Sequence, residues 1–393
     1  MRRREARLGA AELAEVRDAL APGPVSTAGL AGALGAASRP LGATGVLAAV
    51  GTVRASLVGA GPLQPLLDDP RTTDVLVNGP GQVWVDDGSA LRRVEVDVGD
   101  EAALRGLAVR LASAAGRRLD DASPCVDARL PDGVRLHAVL PPVSPVGTLV
   151  SLRVPRRRAF SLGDLVDAGA VPPSWAPVLG SLVRRRLAFL VSGATGSGKT
   201  TVLSTLLGLA DPAERVVLVE DAAELRPDLP HVVRLEARHG NVEGAGAVTQ
   251  EDLVRHALRM RPDRIVVGEC RGGEVRDLLA ALNTGHEGGC GTVHANTAAD
   301  VPARLEALGA LAGLDSAALA AQAGSALDAV LHLRRDGSLR RLVEVAVVRR
   351  EGTGLVVAMA LAADPVDPGA PGRRGPGWPR LADLLGWDPG RTL

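Results

Sequence analysis

A glycine-rich run that ends in a lysine and a threonine has the spacing of a phosphate-binding loop. It fits the pattern G-x-x-x-x-G-K-[ST] at every position. The glycines let successive backbone N–H groups converge on phosphate oxygens at the N-terminus of the helix that follows. We therefore expect ATP to bind a consecutive set of residues: Gly193, Ala194, Thr195, Gly196, Ser197, Gly198, Lys199, Thr200 and Thr201.

Two side chains of this run are suited to phosphate and metal chemistry. The Lys199 ammonium can neutralise the β- and γ-phosphates of ATP, and the Thr200 hydroxyl can ligate Mg²⁺. Lys199 is also the only lysine of the chain, and the other residues counted as Lys or Arg are all arginines. A guanidinium is too wide and planar for this position. The chemistry of the loop therefore explains why the only lysine stands here.

A second candidate for chemistry is a carboxylate at the end of an apolar run. Residues 264–267 read as a buried strand, which Gly268 and Glu269 follow. Ligands of an open parallel sheet bind at the carboxyl ends of its strands. Glu269 should therefore face the same crevice as the phosphate loop, where it can orient and deprotonate a water that attacks the γ-phosphate.

Glu220 is a third candidate, because it closes the apolar run 216–219 and is followed by Asp221. A surface turn would have the same composition, so this run alone leaves two interpretations open. We include Glu220 with Glu269 and Lys199 in the predicted catalytic set.

His294 completes that set because it ends another strand run. At that place it can donate a hydrogen bond to the γ-phosphate and so sense its presence. A structural role, together with His286, is the alternative. Metal binding by the two histidines with Cys290 or Glu287 is disfavoured because no matching ligand cluster accompanies them.

These residues need a scaffold, and the pattern around them predicts one. Strand runs at 187–191, 216–219, 264–267 and 291–294 alternate with helical patterns. That alternation is typical of a parallel sheet covered by helices. We predict an α/β domain over residues 176–361.

The remaining segments have other compositions. Short strand and helix patterns predict a smaller α+β domain over residues 56–155. Residues 1–55 read as an Ala/Gly-rich extension and residues 156–175 as a linker. The tail, residues 362–393, is rich in proline and glycine and is predicted to be disordered, so its removal should leave activity intact.

Charge and cysteine usage exclude some classes of protein. The chain has 45 Lys and Arg against 45 Asp and Glu, which argues against bulk electrostatic binding of nucleic acid. Its 3 cysteines form no CxxC pair, which disfavours a disulfide framework and a cysteine zinc site. No run is apolar enough to span a membrane and no signal-peptide core follows the basic start. We therefore expect a cytoplasmic chain with no direct nucleic-acid partner.

Taken in order, four segments resemble the conserved boxes of the secretion ATPase superfamily, which serves type II and type IV secretion and type IV pili. The resemblance is closest to the tight-adherence (Flp) pilus ATPases of the TadA/CpaF type. The boxes are a Walker A motif at 193–200, an Asp box at 219–225, a Walker B motif that ends at Glu269, and a His box at 285–296. The resemblance implies a RecA-like P-loop NTPase domain with a parallel sheet.

The amino-terminal half is also similar to this family. The segments 77–80 and 123–135 look like parts of its PAS-like domain. In the family this domain contributes arginines to the nucleotide, which makes Arg129, Arg135 and Arg153 candidates for phosphate contacts. Arg234 and Arg238 are candidates across a subunit boundary. A surface ion pair is the alternative for each arginine.

The resemblance implies a Mg²⁺-dependent ATPase that forms a homo-oligomer, a hexameric ring. Hydrolysis would drive motion between the two domains and act on integral-membrane platform proteins, with the ring peripheral at the inner face of the membrane. Two alternatives remain at this point. One is a conjugation-branch ATPase coupled to DNA transfer, and the other is a non-hydrolysing scaffold that ATP only holds together.

Overall fold

The computed structural model describes residues 59–88, 90–154, 159–238, 246–337, 339–367 and 369–390. The chain divides into two compact units, with the boundary between Arg157 and Arg158. The predicted extension, residues 1–55, lies outside the described residues. No helix in the described ranges is long and apolar enough to cross a membrane.

The first unit is an antiparallel sheet with a helix packed on it. The sheet order is β3-β2-β1-β6-β5-β4. Alternate residues of the strands are buried, as in β1 and β2, and meet the apolar side of α2. Its elements are a 3₁₀ turn Gly61–Leu63, α1 Gln64–Asp68, β1 Asp74–Val77, β2 Val83–Asp86, β3 Leu91–Val94, α2 Glu101–Ala114, β4 Cys125–Arg129, β5 Arg135–Val139 and β6 Leu149–Arg153.

The second unit is a mixed sheet whose order is β15-β14-β13-β12-β7-β11-β10-β8-β9. The strands from β12 to β9 in this order run parallel, and β13, β14 and β15 are antiparallel. The strands are β7 Phe189–Gly193, β8 Val216–Glu220, β9 Val232–Glu236, β10 Arg264–Cys270, β11 Cys290–Val293, β12 Ala329–Asp336, β13 Leu339–Glu351, β14 Gly354–Ala362 and β15 Arg373–Arg374.

Helices cover both faces of this sheet, which is why its central strands read as continuous apolar runs. In β8, Val216 and Leu218 face one core, and Val217 and Val219 face the other. The expected fold class, an α/β domain preceded by a smaller α+β domain, is confirmed. The helices are α3 Leu162–Asp167, α4 Ala176–Arg184, α5 Lys199–Leu207, α6 Gln250–Leu258, α7 Glu274–Leu282, α8 Val301–Leu311, α9 Ser316–Ala326 and α10 Trp378–Leu385, with 3₁₀ turns Pro173–Trp175 and Ala298–Asp300.

The interpretation of residues 156–175 as a linker is wrong for the described part, 159–175. Helix α3 begins with a capping box between Ser161 and Asp164. Leu165, Val171 and Trp175 are buried in the core of the second unit. The prolines of this segment set turns between short helices, and the apolar residues between them hold the segment on the sheet.

The prediction that residues 362–393 are disordered is also wrong for the described residues. Helix α10 packs on the second unit through Trp378, Leu381, Ala382 and Leu385, all of them buried. These positions have the i, i+3, i+4, i+7 spacing of an amphipathic helix, which the proline and glycine content obscured. The segment also contacts residues 159–175, because the Trp175 indole N–H donates to the Pro371 carbonyl at 2.9 Å.

This packing changes the expected effect of altering the tail. We expect Trp378→Ala to lower the free energy of unfolding of the full chain by about 3 to 5 kcal/mol, because it leaves a large cavity in a core. The measurement is chemical denaturation followed by circular dichroism. Val366→Ala is the matched control, since Val366 is 88% exposed in the same segment. Identical unfolding curves for the two variants would contradict the structural role of the tail.

Candidate active site

The order of the strands brings the predicted catalytic residues together at the carboxyl-terminal ends of the central strands. Strands β7, β11, β10 and β8 are neighbours and parallel. Their carboxyl ends carry, in this order, the phosphate loop, His294, Glu269 and Glu220. These residues are far apart along the chain and meet only because the strands are interleaved in this order.

The phosphate loop has a backbone that only glycine can adopt at key points. Gly193, Gly196 and Gly198 have φ angles of 149°, 72° and 93°. A Cβ atom on Gly193 would lie 2.5 Å from the Leu333 carbonyl oxygen, so no side chain fits there. Helix α5 begins at Lys199 directly after the loop, and the first N–H groups of a helix have no partner within it. The loop and helix therefore form an anion-binding site.

The Lys199 ammonium lies inside this loop. Its Nζ donates to the carbonyl oxygens of Gly193 at 2.9 Å and Ala194 at 3.0 Å, and it lies 3.4 Å from His294 Nδ1. Burial lowers the pKa of Lys199, an effect that Glu269 opposes and Arg271 reinforces. The cation is thus held where a phosphate group on the loop would meet it.

His294 and Glu269 continue the line of contacts from Lys199. The His294 Nε2 contacts Glu269 Oε1, and the other carboxylate oxygen of Glu269 lies 2.6 Å from Arg271 Nη2. Burial and the neighbouring Lys199 lower the pKa of His294, although Glu269 acts in the opposite direction. A neutral His294 with its proton on Nε2 places that N–H next to Glu269 and its unprotonated Nδ1 next to Lys199.

The backbone around Glu269 is held by side chains outside the predicted set. The pairing of β10 with β11 is irregular between Val267 and Cys270. At this point the Thr292 hydroxyl donates to the Gly268 carbonyl at 2.7 Å. Glu274 accepts from the N–H groups of Arg271 and Gly272, which closes the turn after β10. Both contacts fix the direction in which Glu269 leaves the strand.

Glu220 is close to this line but is directed elsewhere. Its Oε1 accepts from the N–H groups of Glu224 and Leu225 at 2.8 and 2.9 Å. Its side chain passes directly over Gly268, where a Cβ would lie 2.7 Å from Glu220 Cγ. Burial raises the pKa of Glu220, and the two N–H groups oppose this effect. Among the described residues, its Oε2 has no hydrogen-bond partner.

Two variants separate the roles of Glu220. We expect Glu220→Gln to change the free energy of unfolding by less than about 1 kcal/mol, because the amide oxygen still accepts both N–H groups. It should lower turnover by about tenfold through loss of the charge beside Gly268. Glu220→Ala should lower both turnover and the free energy of unfolding, since it leaves a buried N–H without an acceptor. Steady-state hydrolysis and denaturation of both variants test this, and normal turnover in Glu220→Gln would leave Glu220 a purely structural role.

Two threonines at the start of α5 are predicted to bind metal and nucleotide. Their hydroxyl groups suit this role, but they do not form a metal site by themselves. Thr200 and Thr201 lie in the first turn of α5. Hydroxyl and carboxylate oxygens are the donors that Mg²⁺ prefers. Within the described ranges, no group of three or more His, Cys, Asp or Glu side chains could hold a metal. A metal ion at Thr200 would therefore need further ligands from phosphate oxygens and water.

In the first unit, the three candidate arginines form one row. Arg129 lies opposite Arg135, and Arg135 lies opposite Arg153, across adjacent antiparallel strands. Residues directly opposite in such strands share a face, and like charges there repel one another. Asp74 continues the row beyond Arg153. The three arginines thus lie side by side on one face of this sheet, and their contact with nucleotide stays a prediction.

Arg234 and Arg238 belong to the second unit. Arg234 is on β9 and is close enough to Glu220 to lower the pKa of that carboxyl slightly against the effect of burial. Arg238 pairs with Val248 through an isolated bridge. A role for either arginine across a subunit boundary stays a prediction.

Comparison with protein families identifies the group to which this chain is related. The family described as "Type II/IV secretion system protein" matches residues 56–350. The chain belongs to the type II/IV secretion system protein family. The resemblance drawn from the four boxes is confirmed at this level.

Several known proteins are similar to this chain over more than half of its length. A putative conjugal transfer protein of Mycobacterium tuberculosis (strain ATCC 25618 / H37Rv) is 59% identical over 317 residues, which span 79% of this chain and 90% of that protein. The type IV secretion system protein PtlH of Bordetella pertussis (strain Tohama I) is 37% identical over 259 residues, 60% of this chain and 76% of PtlH. The solved structure of the pilus retraction motor PilT with bound ADP has a TM-score of 0.53 at 19% identity, over 82% of this chain and 87% of that one, and shares the fold.

In this secretion-system protein, sequence reasoning missed Thr292, Arg271 and Glu274. Two signals could have indicated them. Thr292 is a polar residue inside a buried strand, and such residues need an internal partner. Arg271 and Glu274 enclose the pair Gly272-Gly273 directly after Glu269, which is the composition of a turn closed by a side chain.

Proposed function

We propose that this family member is a Mg²⁺-dependent ATPase that powers assembly of a tight-adherence or type IV-like pilus, or protein secretion across the membrane. The observation that carries the proposal is the line of contacts from Lys199 through His294 to Glu269 beside the phosphate loop. It puts a phosphate-binding cation next to a candidate general base, as NTP hydrolysis requires. PilT, a protein of similar fold, was solved with bound ADP, which is in keeping with nucleotide binding by this fold.

In this proposal each residue of the line has one task. The loop N–H groups and Lys199 bind the phosphates, and Glu269 orients a water and takes its proton during attack on the γ-phosphorus. Glu269 must first separate from Arg271, because a carboxylate paired with a guanidinium is a weaker base. When Glu269 moves, the Nε2–H of His294 becomes able to donate to the γ-phosphate instead.

Mg²⁺ would be held through the Thr200 hydroxyl together with phosphate oxygens. When bound, it supplies positive charge that neutralises the phosphates. Thr200 is placed for this role by its position in the first turn of α5, directly after Lys199. The oxygen donor fits the metal that ATP usually carries.

The proposed output is motion between the two units within a hexameric ring. The arginine row of the first unit would contact the triphosphate and lose that contact after hydrolysis, which is an order-to-open switch. The ring would act on integral-membrane platform proteins from the cytoplasmic side of the membrane.

Phosphate release and particle mass, measured together on the full chain, test this function. We expect phosphate release only with both ATP and Mg²⁺, and the mass of a hexamer when nucleotide is bound. ATP binding without phosphate release would instead support the non-hydrolysing scaffold. The absence of both ATP binding and phosphate release would contradict the proposed function.

A second candidate is an ATPase coupled to DNA transfer. The observation that favours it is the name of the relative from M. tuberculosis, a putative conjugal transfer protein. The formal net charge of +0 disfavours direct DNA binding, although a coupling role needs no DNA contact. Binding of duplex DNA that weakens steeply with salt would favour this candidate over pilus assembly.

A further inference from the structure

The hairpin of β12 and β13 reaches the phosphate loop from outside the four boxes. Strand β12 is parallel to β7, with Leu333 opposite Gly193. It continues to Asp336, so its last residues extend beyond the end of β7 and lie alongside the loop. Arg335 and Arg340 are directly opposite one another on the two strands of the hairpin. They therefore lie on the same face of it.

Both arginines reach the glycines of the phosphate loop. Arg340 Nε donates to the Gly196 carbonyl oxygen at 2.9 Å. Its Cδ lies 3.4 Å from the position of a Cβ on Gly198. Arg335 Nη1 lies 3.3 Å from the position of a Cβ on Gly196. The loop is thus held from its outer side by a guanidinium and its methylene chain.

Among the residues that the structure describes, neither arginine forms an ion pair with an acidic side chain. Each of them instead donates from Nε to a backbone carbonyl oxygen. Arg334 differs from them, because it lies on the other face of the hairpin and pairs with Asp336 at 2.9 Å. Two like charges side by side disfavour one another, and an anion on the loop would relieve that repulsion.

We propose that Arg340 is a positioning residue of the nucleotide site and that Arg335 adds positive charge at the same place. Arg340 holds the Gly196 peptide, whose φ of 72° is one of many that glycine can adopt. Fixing this peptide aligns the loop before a nucleoside di- or triphosphate binds. Less conformational entropy of the loop is then lost on binding. The proposal rests on the proposed function, since it assumes that the loop binds nucleotide.

Four variants of the full chain test the proposal: Arg340→Met, Arg340→Lys, Arg335→Met and Arg334→Met. The readout is the Kd for a fluorescent ADP analogue at low and high salt. Arg340→Lys keeps the charge but has a methylene where Nε donates. Arg334→Met is the matched control, with the same change of charge on the opposite face of the same hairpin.

We expect Arg340→Met to raise Kd about tenfold at both salt concentrations, which is the size of one hydrogen bond from a charged group. Arg340→Lys should raise it about fivefold, because the directed hydrogen bond is lost. Arg335→Met should raise Kd about threefold at low salt, and high salt should remove that difference by screening. Arg334→Met should stay within about twofold of the unaltered chain. Equal Kd values for Arg340→Met and Arg334→Met would overturn the proposal.

Hydrogen exchange of the nucleotide-free chain separates failure of this proposal from failure of the proposed function. The loop amides of residues 194–198 should exchange about tenfold faster in Arg340→Met than in Arg334→Met, at unchanged thermal midpoints. If Arg340→Met fails to fold, the same comparison is made with Arg340→Lys. If the unaltered chain binds no nucleotide, the proposed function is wrong, whereas equal exchange in these variants would show that Arg340 does not position the loop.

Discussion

Lys199→Ala should weaken nucleotide binding by at least about a hundredfold, which corresponds to about 2.7 kcal/mol. The ammonium is buried inside the loop and donates to its carbonyls, whereas Arg340 holds the loop from its outer side and does not take that place. Arg271, whose charge also acts on Lys199, is engaged by Glu269. Calorimetric titration with ATP and with ADP measures the loss.

The composition of the chain supplies an unusually specific check on this result. Because Lys199 is the only lysine, an amine-directed acylating reagent can label only this side chain and the terminal amine. ATP should protect Lys199 and leave labelling of the terminal amine unchanged. The lowered pKa of Lys199 favours its reaction near neutral pH. Near-normal affinity of Lys199→Ala, or labelling that ATP does not reduce, would contradict the site.

Glu269→Gln should keep nucleotide bound and slow turnover by about a hundredfold or more, the effect of losing a positioned base. The amide has nearly the same shape as the carboxylate, and Thr292 and Glu274 still hold the backbone on either side. Single-turnover phosphate release measures the chemical step, and a separate titration measures affinity.

The control for this variant is another carboxylate of the same unit. Glu351 lies at the end of β13 remote from the phosphate loop and pairs with Arg349 on the surface. Glu351→Gln removes the same charge and should leave turnover and affinity unchanged. If Glu269→Gln turns over at the rate of Glu351→Gln, then Glu269 is not the base. The contacts from Lys199 through His294 to Glu269 would then not serve to place a general base beside the phosphates.

Much of the site could be predicted from local patterns. The phosphate loop depends on consecutive residues, so its glycines, Lys199 and Thr200 are all visible in a single run. Strand ends such as Glu269 and His294 are visible because a buried parallel strand is a short apolar run with a polar end. Both signals are short-range and need no knowledge of what lies beside them.

The partners of these residues could not be predicted in the same way. Thr292 meets Gly268 because β11 lies beside β10 in the sheet. Arg340 meets Gly196 because β12 lies beside β7 and its hairpin partner β13 comes with it. The tail was misjudged for a related reason. Its prolines and glycines disfavour a core of its own, yet α10 needs none, because it packs on a core formed by other elements.

The fold class, the phosphate loop and the identity of the groups that could carry charge and protons can all be inferred from the order of the residues. Those properties follow from residue types and short spacings, which the chain carries whatever its fold. The folded chain was needed to show which carboxylate lies next to His294, which side chains hold the backbone of the loop, and where the segments 159–175 and 369–390 pack. These depend on strand order, and strand order is set by the packing of the whole sheet.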